Sequence, residues 1–357
     1  MSVFAPASPL ARFIYRHIRV IHVFKISLAL LIAHIINHLY PVPYFAWTSV
    51  TIVIIMLTLP QVGGTLEKSL QRVVGTLLGA FYGILILGLT ANPALIAALT
   101  LLGIALTAYR ASGRMGYSYL VAGFTLMIVI DGGKQGMTEA AWRTGTILLG
   151  CVIAVAVSQL VLPLRARNEW RWLLSDSLMR MAKVWQMHLS TNVHRPLRTR
   201  NLLSGIDQRV QRQKGLRRSV TLESRRLRRF DGELGELIQA QGRCLLLLEL
   251  LAQTRWESSA SALSIQRHYA ISLQARQMGQ QLLALAAFCA GESPYLPPKD
   301  DGNLQALKAL MQQELAGDAA GFNAQGYAWL IYQMGLQISL LTSLIHRMAG
   351  ASVLRHT

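Results

Sequence analysis

Residues 72–83 read R-V-V-G-T-L-L-G-A-F-Y-G. Gly75, Gly79 and Gly83 recur every four residues, so on a helix they line one face, with Arg72 one turn ahead of them. The apolar run opened by this ridge extends to Leu89. Small-residue faces on apolar helices let transmembrane helices approach closely. Seventy-one residues later Arg143 is followed by Thr146, Gly150 and Ala154 at the same offsets. An arginine leading a small-residue helix face thus occurs twice.

Around these two stretches lie six apolar segments, at about 21–39, 44–59, 73–89, 94–109, 117–130 and 141–162. Residues 1–162 hold ten Lys/Arg and three acids, and residues 163–357 hold the other twenty-five basic and fourteen acidic groups. The expected organisation is therefore all-α, with an interfacial helix over 1–20, a six-span transmembrane bundle over 21–162 and a cytoplasmic helical bundle over 163–357. Segments two and five are shorter than the roughly 20 residues of a simple span. The run from Ile21 ends in His38, Tyr40 and Pro41 rather than a small-residue cleavage pattern, so the first segment is expected to stay as an anchor.

Basic residues set the orientation. Arg12, Arg16 and Arg19, then Lys68 and Arg72, then Arg110 and Arg114, and finally Arg165 and Arg167 all fall on one side if there are six crossings. Both termini are then cytoplasmic. Three spans per repeat make the second half inverted relative to the first, with Thr48–Pro60 aligned on Tyr119–Asp131 and the two short segments in equivalent places. Paired short helices in inverted halves point to a substrate path at the repeat interface.

Few ionisable groups lie within or beside the spans: Lys25, His34, His38, Arg72, Asp131, Lys134 and Arg143. Cations outnumber the acid, which favours an anion, because charges in hydrocarbon generally face an interior or a water-filled path. Arg72 and Arg143 stand out, each read as sitting on the first turn of a helix whose positive end adds to anion attraction. The plainer reading makes both interfacial anchors. Lys25 fits pore lining or snorkelling, and His34 with His38, one turn apart, fit a proton relay or a headgroup-level contact. Two histidines without a third ligand make no metal site. Trp47 fits an aromatic belt or an entrance. Gly75, Thr76, Gly79, Gly83, Thr146, Gly150 and Ala154 are expected to pack spans three and six together or against a partner subunit.

Beyond Leu162 the segments 170–189, 200–229, 232–254, 262–290, 304–315 and 327–348 read as soluble helices, and strand signals are absent. The net charge of +18 reads as Lys/Arg held on the cytoplasmic face of a membrane protein, and nine of the 35 lie in a run from Arg209 to Arg229. Without interleaved aromatics this run suits anionic lipid or an anion funnel rather than nucleic acid. Cys151, Cys244 and Cys289 are isolated and read as small core hydrophobes. No P-loop, G-x-S-x-G, H-E-x-x-H or dinucleotide fingerprint occurs, so neither an enzyme nor a cofactor is expected.

Six segments, R-x-x-G-T-x-x-G-A at Arg72, Gly75, Thr76, Gly79 and Ala80, a second arginine-led helix at Arg143 and Gly150, and a helical domain after them resemble the fusaric acid resistance family. That family includes bacterial aromatic carboxylic acid exporters and is similar to plant aluminium-activated malate channels. The resemblance is to its short inner-membrane members and rests also on the spacing of Trp47, Lys68 and Arg72. It implies a homodimer exporting organic anions, with Lys25, Arg72 and Arg143 along the path. Tyr44-Phe45-Ala46 precedes Trp47 where relatives often carry an acid. Two rivals stand beside this reading. One is a membrane scaffold or regulator whose basic bundle binds a partner or anionic lipid; the other is an acyl-transfer enzyme using His34 or His38.

Overall fold

The computed structural model describes residues 4, 13, 17–58, 61–113, 115–132, 136–189, 196–253, 269–298, 304–305, 308–309 and 322–350. Every element among them longer than four residues is an α-helix. Two compact units are present: Leu10–Ala166, and Met1–Pro9 together with Arg167–Thr357. Phe4 therefore groups with the C-terminal unit. Arg12, Arg16, Arg114, Lys134, Asp300 and Asp301 lie outside the described residues.

The first unit contains α1 (Ile18–Leu39), α2 (Ala46–Thr58), α3 (Val62–Leu89), α4 (Pro93–Ala111), α5 (Gly116–Asp131) and α6 (Gly136–Leu160). Local signals account for several of the boundaries. Asn92 caps α4 by accepting from the Ala94 amide at 3.0 Å, with Pro93 in the first position. Tyr44 holds a left-handed backbone (φ 57°) before α2, a strained conformation for a residue with a side chain. Helices α1, α3, α4 and the stretch Ala141–Leu160 of α6 are long and apolar enough to cross a membrane, while Ala46–Leu57 and Gly116–Asp131 are shorter.

Two corrections concern length and partners. Helix α3 starts at Val62 and α6 at Gly136, so Arg72 and Arg143 lie well inside their helices rather than on first turns. Helix-end electrostatics fade within the terminal turn, so the expected dipole contribution at these arginines is lost. Nor do the glycines join α3 to α6. A Cβ on Gly75 or Gly79 would collide with the Ser118 or Ala122 carbonyl of α5, and one on Gly83 would meet Val129 of α5 at 2.8 Å. A Cβ on Gly150 of α6 would meet the Thr48 carbonyl of α2 at 2.8 Å. Each glycine helix presses on the short helix of the other half.

Helix pairing respects the 71-residue duplication throughout. The pair α3–α5 has its counterpart in α6–α2, α4–α5 in α1–α2, α3–α4 in α6–α1 and α5–α6 in α2–α3, while α3–α6 maps onto itself. The glycine contacts refine the alignment: with Gly79 equivalent to Gly150, Thr48 corresponds to Ala122 rather than Tyr119, a shift of almost one turn. A core of Ala29 and Ala33 from α1, Ile52 and Ile55 from α2, and Ile147, Ala154 and Val157 from α6 fills one side of the unit. Outward faces carry Phe24, Leu31, Phe81, Leu101, Leu102, Leu106 and Phe124, all more than half exposed. That much outward apolar surface is what hydrocarbon covers.

The second unit contains α7 (Ala166–Leu189), α8 (Pro196–Glu223), α9 (Arg225–Arg229), α10 (Asp231–Gln253), α11 (Tyr269–Ala290) and α12 (Phe322–Gly350). Helix α7 buries Trp170, Leu174, Leu178, Met181 and Trp185 at helical spacing. It runs antiparallel to α11, bonded through Arg171 to Cys289 O, Ser175 to Ala286 O and Trp185 to Ala275 O. Gln213 and Gln241 exchange amide hydrogen bonds, each 3.0 Å, in a fully buried pair between α8 and α10. The stretch Gly326–Gly350 of α12 is also apolar enough to cross a membrane. Here one face of it, with Ile331, Met334, Ile338, Leu341 and Ile345, packs on α10 and α11.

Candidate functional site

Arg72 is 6% exposed and held between two helices. Its Nε donates to Thr51 Oγ1 of α2 at 3.2 Å and its Nη1 to the Tyr117 hydroxyl of α5 at 3.0 Å. Lys68, one turn earlier on α3, sets its ammonium 4.9 Å from the centroid of the Tyr117 ring. Neutral oxygens satisfy hydrogen bonds of the guanidinium without cancelling its charge.

Arg143 is 3% exposed, and its guanidinium carbon lies 3.7 Å from the centroid of a Trp47 ring, a stacked cation–π contact. Trp47 and Thr51 are four residues apart on α2 and so occupy adjacent turns of one face. The two repeat-related arginines therefore converge on neighbouring turns of a single short helix. Thr48 Oγ1 donates to Thr146 O at 3.0 Å, and Thr146 Oγ1 to Arg143 O at 2.9 Å, pinning α2 to the turn that carries Arg143.

The structure does not bring Lys25 to this pair. Its side chain is 1% exposed and donates to Ser158 O at 3.0 Å, within the last turn of α6. Carbonyls of a final helical turn lack intrahelical partners and carry partial negative charge, so Lys25 acts as a side-chain cap of α6. His34 and His38 are exposed on the outer side of α1. His34 bonds through Nδ1 to Leu30 O in its own helix and packs edge-on to Phe45 at 5.2 Å. No group of three metal-binding side chains occurs among the described residues.

Thr51 and Tyr117 are absent from the residues singled out by sequence. The signal for Thr51 was available: Thr48 and Thr51 put hydroxyls on one face of an otherwise apolar helix. Tyr117 offered only an aromatic ring with a polar tip at a segment boundary.

In the C-terminal unit the basic run is partly neutralised. Asp176 pairs with Arg209, Glu169 with Arg212 at 2.5 Å, and Asp231 with Arg217 through two side-chain contacts of 2.7 and 2.8 Å. Lys214, Arg225, Arg228 and Arg229 remain exposed. A groove of about 530 Å³ beside α12, lined by Lys308, Tyr332 and Ser343 among others, contains none of the residues read from sequence.

Helices that turn phenylalanine and leucine outward while burying arginine and hydroxyls inward define a multi-pass membrane protein. The chain belongs to the fusaric acid resistance protein family, whose pattern matches residues 19–352. It is similar to the inner membrane protein YeeA of Escherichia coli (strain K12), with 28% identity over 351 residues covering 95% of this chain and 97% of that protein. This is thus an inner-membrane protein of that family.

Proposed function

We propose that the protein moves organic anions, aromatic carboxylates foremost, outward across the inner membrane, with Arg72 and Arg143 as the groups that attract them. The observation that carries this is the convergence of two buried arginines, one from each half, on adjacent turns of α2. A carboxylate entering there meets the planar fork of Arg72, which suits bidentate pairing, and the Trp47 ring offers stacking for an aromatic body. Transport rather than catalysis fits a site built of cations, hydroxyls and an indole. In this reading α1–α6 make six crossings as a 3+3 inverted repeat, the C-terminal bundle is cytoplasmic, and the protein works as the homodimer that the family resemblance implies.

The test is flux of labelled benzoate-type and dicarboxylate anions from proteoliposomes, with and without an imposed pH gradient. Replacing both arginines (Arg72→Gln with Arg143→Gln) is expected to lower flux by about tenfold to a hundredfold. That corresponds to the roughly 1.5–3 kcal/mol of a hydrogen bond to a charged group. Undiminished flux in a correctly folded double variant removes them from the mechanism. A second reading is favoured by the exposed Lys214, Arg225, Arg228 and Arg229: a non-transporting scaffold whose basic bundle binds anionic lipid. Absence of flux for every anion, together with salt-sensitive binding to anionic vesicles, supports it.

A further inference from the structure

The two repeat-related seams, α3 on α5 and α6 on α2, are built alike in backbone and unlike in polar chemistry. The threonine hydroxyls at α6–α2 are engaged: Thr48 across the seam with Thr146 O, Thr146 within α6 with Arg143 O, and Thr51 with Arg72 of α3. At α3–α5 the Tyr117 hydroxyl is engaged, by Arg72, but others are not. Ser118 and Thr125, which face Gly75 and Gly79, are 1% and 2% exposed, and neither hydroxyl has a hydrogen-bond partner. Thr76, 1% exposed and one turn beyond Arg72 on the same face of α3, is in the same condition. Ser118 and Thr125 are seven residues apart, two turns along one face of α5. Ser118 also adjoins Tyr117, the residue that holds Arg72. The three hydroxyls thus prolong the polar surface that starts at Arg72.

A buried hydroxyl in apolar surroundings is unfavourable until something bonds it. Two on the seam and a third beside it, where the counterpart's threonine hydroxyls are bonded, mark where a polar partner enters. We propose that the α3–α5 seam is the side that parts to admit water and the anion, with Ser118, Thr125 and Thr76 as neutral donors along the route from Arg72. The α6–α2 seam stays shut, its threonine hydroxyls already bonded. Serine and threonine hydroxyls are neutral donors, so an anion is handed along without being trapped. This deepens the transport reading and rests on it for the identity of the cargo.

The experiment uses the full chain with Cys151, Cys244 and Cys289 replaced by alanine, and single cysteines introduced at 76, 118, 125, 48 and 146. A membrane-impermeant sulfonated maleimide is applied to membranes opened to both faces. Labelling at 76, 118 and 125 is expected to run at least tenfold faster than at 48 and 146. Equal rates at the two seams, or faster labelling at 48 and 146, overturn the proposal, as does no labelling at any of the five positions. Near-isosteric Thr125→Val and Thr76→Val guard against misfolded cysteine variants. They are expected to lower flux while leaving thermal stability equal or raised; unchanged flux with raised stability shows hydroxyls that are merely buried and sinks the idea. Labelling needs no substrate, so a seam that labels in a protein carrying no organic anion refutes only the cargo, whereas flux without labelling refutes only the seam.

Discussion

Buried cations do different work according to what receives them. Lys25 and Arg72 both sit in apolar helices, and a sequence pattern gives them equal standing as pathway residues. Lys25 meets a helix-end carbonyl that already wants a donor, so it closes α6. Arg72 meets hydroxyls of two other helices, which orient it and leave its charge available. In the C-terminal unit His188 shows the opposite device. It hydrogen-bonds the Tyr327 hydroxyl at 3.1 Å, and burial pushes its imidazole down to about 4 from the ordinary 6.5. Between pH 6.5 and about 4 the unfolded chain takes up a proton that the folded chain refuses. Stability from this group is therefore complete above 6.5 and falls as pH drops through that window. Comparing apparent melting temperatures of wild type and His188→Gln from pH 7.5 to 4.5 checks this; the variant, unable to protonate there, should lose less on acidification.

At the scale of elements, the small-residue faces set which helices touch. A Cβ on Gly79 would run into the Ala122 carbonyl of α5, which cannot swing away as a side chain does. Gly88 lies on the same helix with nothing within 4 Å of where a Cβ would be. Gly79→Ala should therefore cost about 1–3 kcal/mol, as over-packed cores do, while Gly88→Ala should be neutral or slightly stabilising. Thermal unfolding of the two variants in detergent separates them; equal effects would mean that helix propensity, not the seam, governs both. The glycine spacing was legible in sequence, but the identity of the partner was not. A Gly-x-x-x-Gly face specifies close approach and leaves open which neighbour approaches, because α3 and α5 are joined only through tertiary packing.

Across the whole molecule, the position of Phe4 carries topological information. It precedes α1, yet its ring lies 5.3 Å from Phe288 and the Arg171 guanidinium 5.9 Å from it, inside the unit that follows α6. The six crossings proposed above, an even number, fit a chain that leaves and returns on one side of the bilayer. With the cytoplasmic termini proposed above, six crossings put Asn92 outside and Ser112 inside. Four, with α2 and α5 as re-entrant helices, reverse both. Impermeant thiol labelling of Asn92→Cys and Ser112→Cys in intact spheroplasts decides: the first alone should react, and reaction of the second alone would replace six crossings by four.

Sequence by itself determined that this chain is helical, divided into an apolar and a charged part, and that an arginine-led small-residue face occurs twice. Those properties are carried by periodicity and composition, which survive in one dimension. It also marked Arg72 and Arg143, because a charge inside an apolar run stands out wherever the helix goes. Only tertiary structure decided that the two arginines share α2, that Thr51 and Tyr117 hold one of them, and that Lys25 belongs to a helix end. It alone separated an engaged hydroxyl seam from an unengaged one. The physical reason is that a hydrogen bond reaches about 3 Å, whereas its partners here are 21 to 133 residues apart along the chain. Their meeting is a property of how the helices pack.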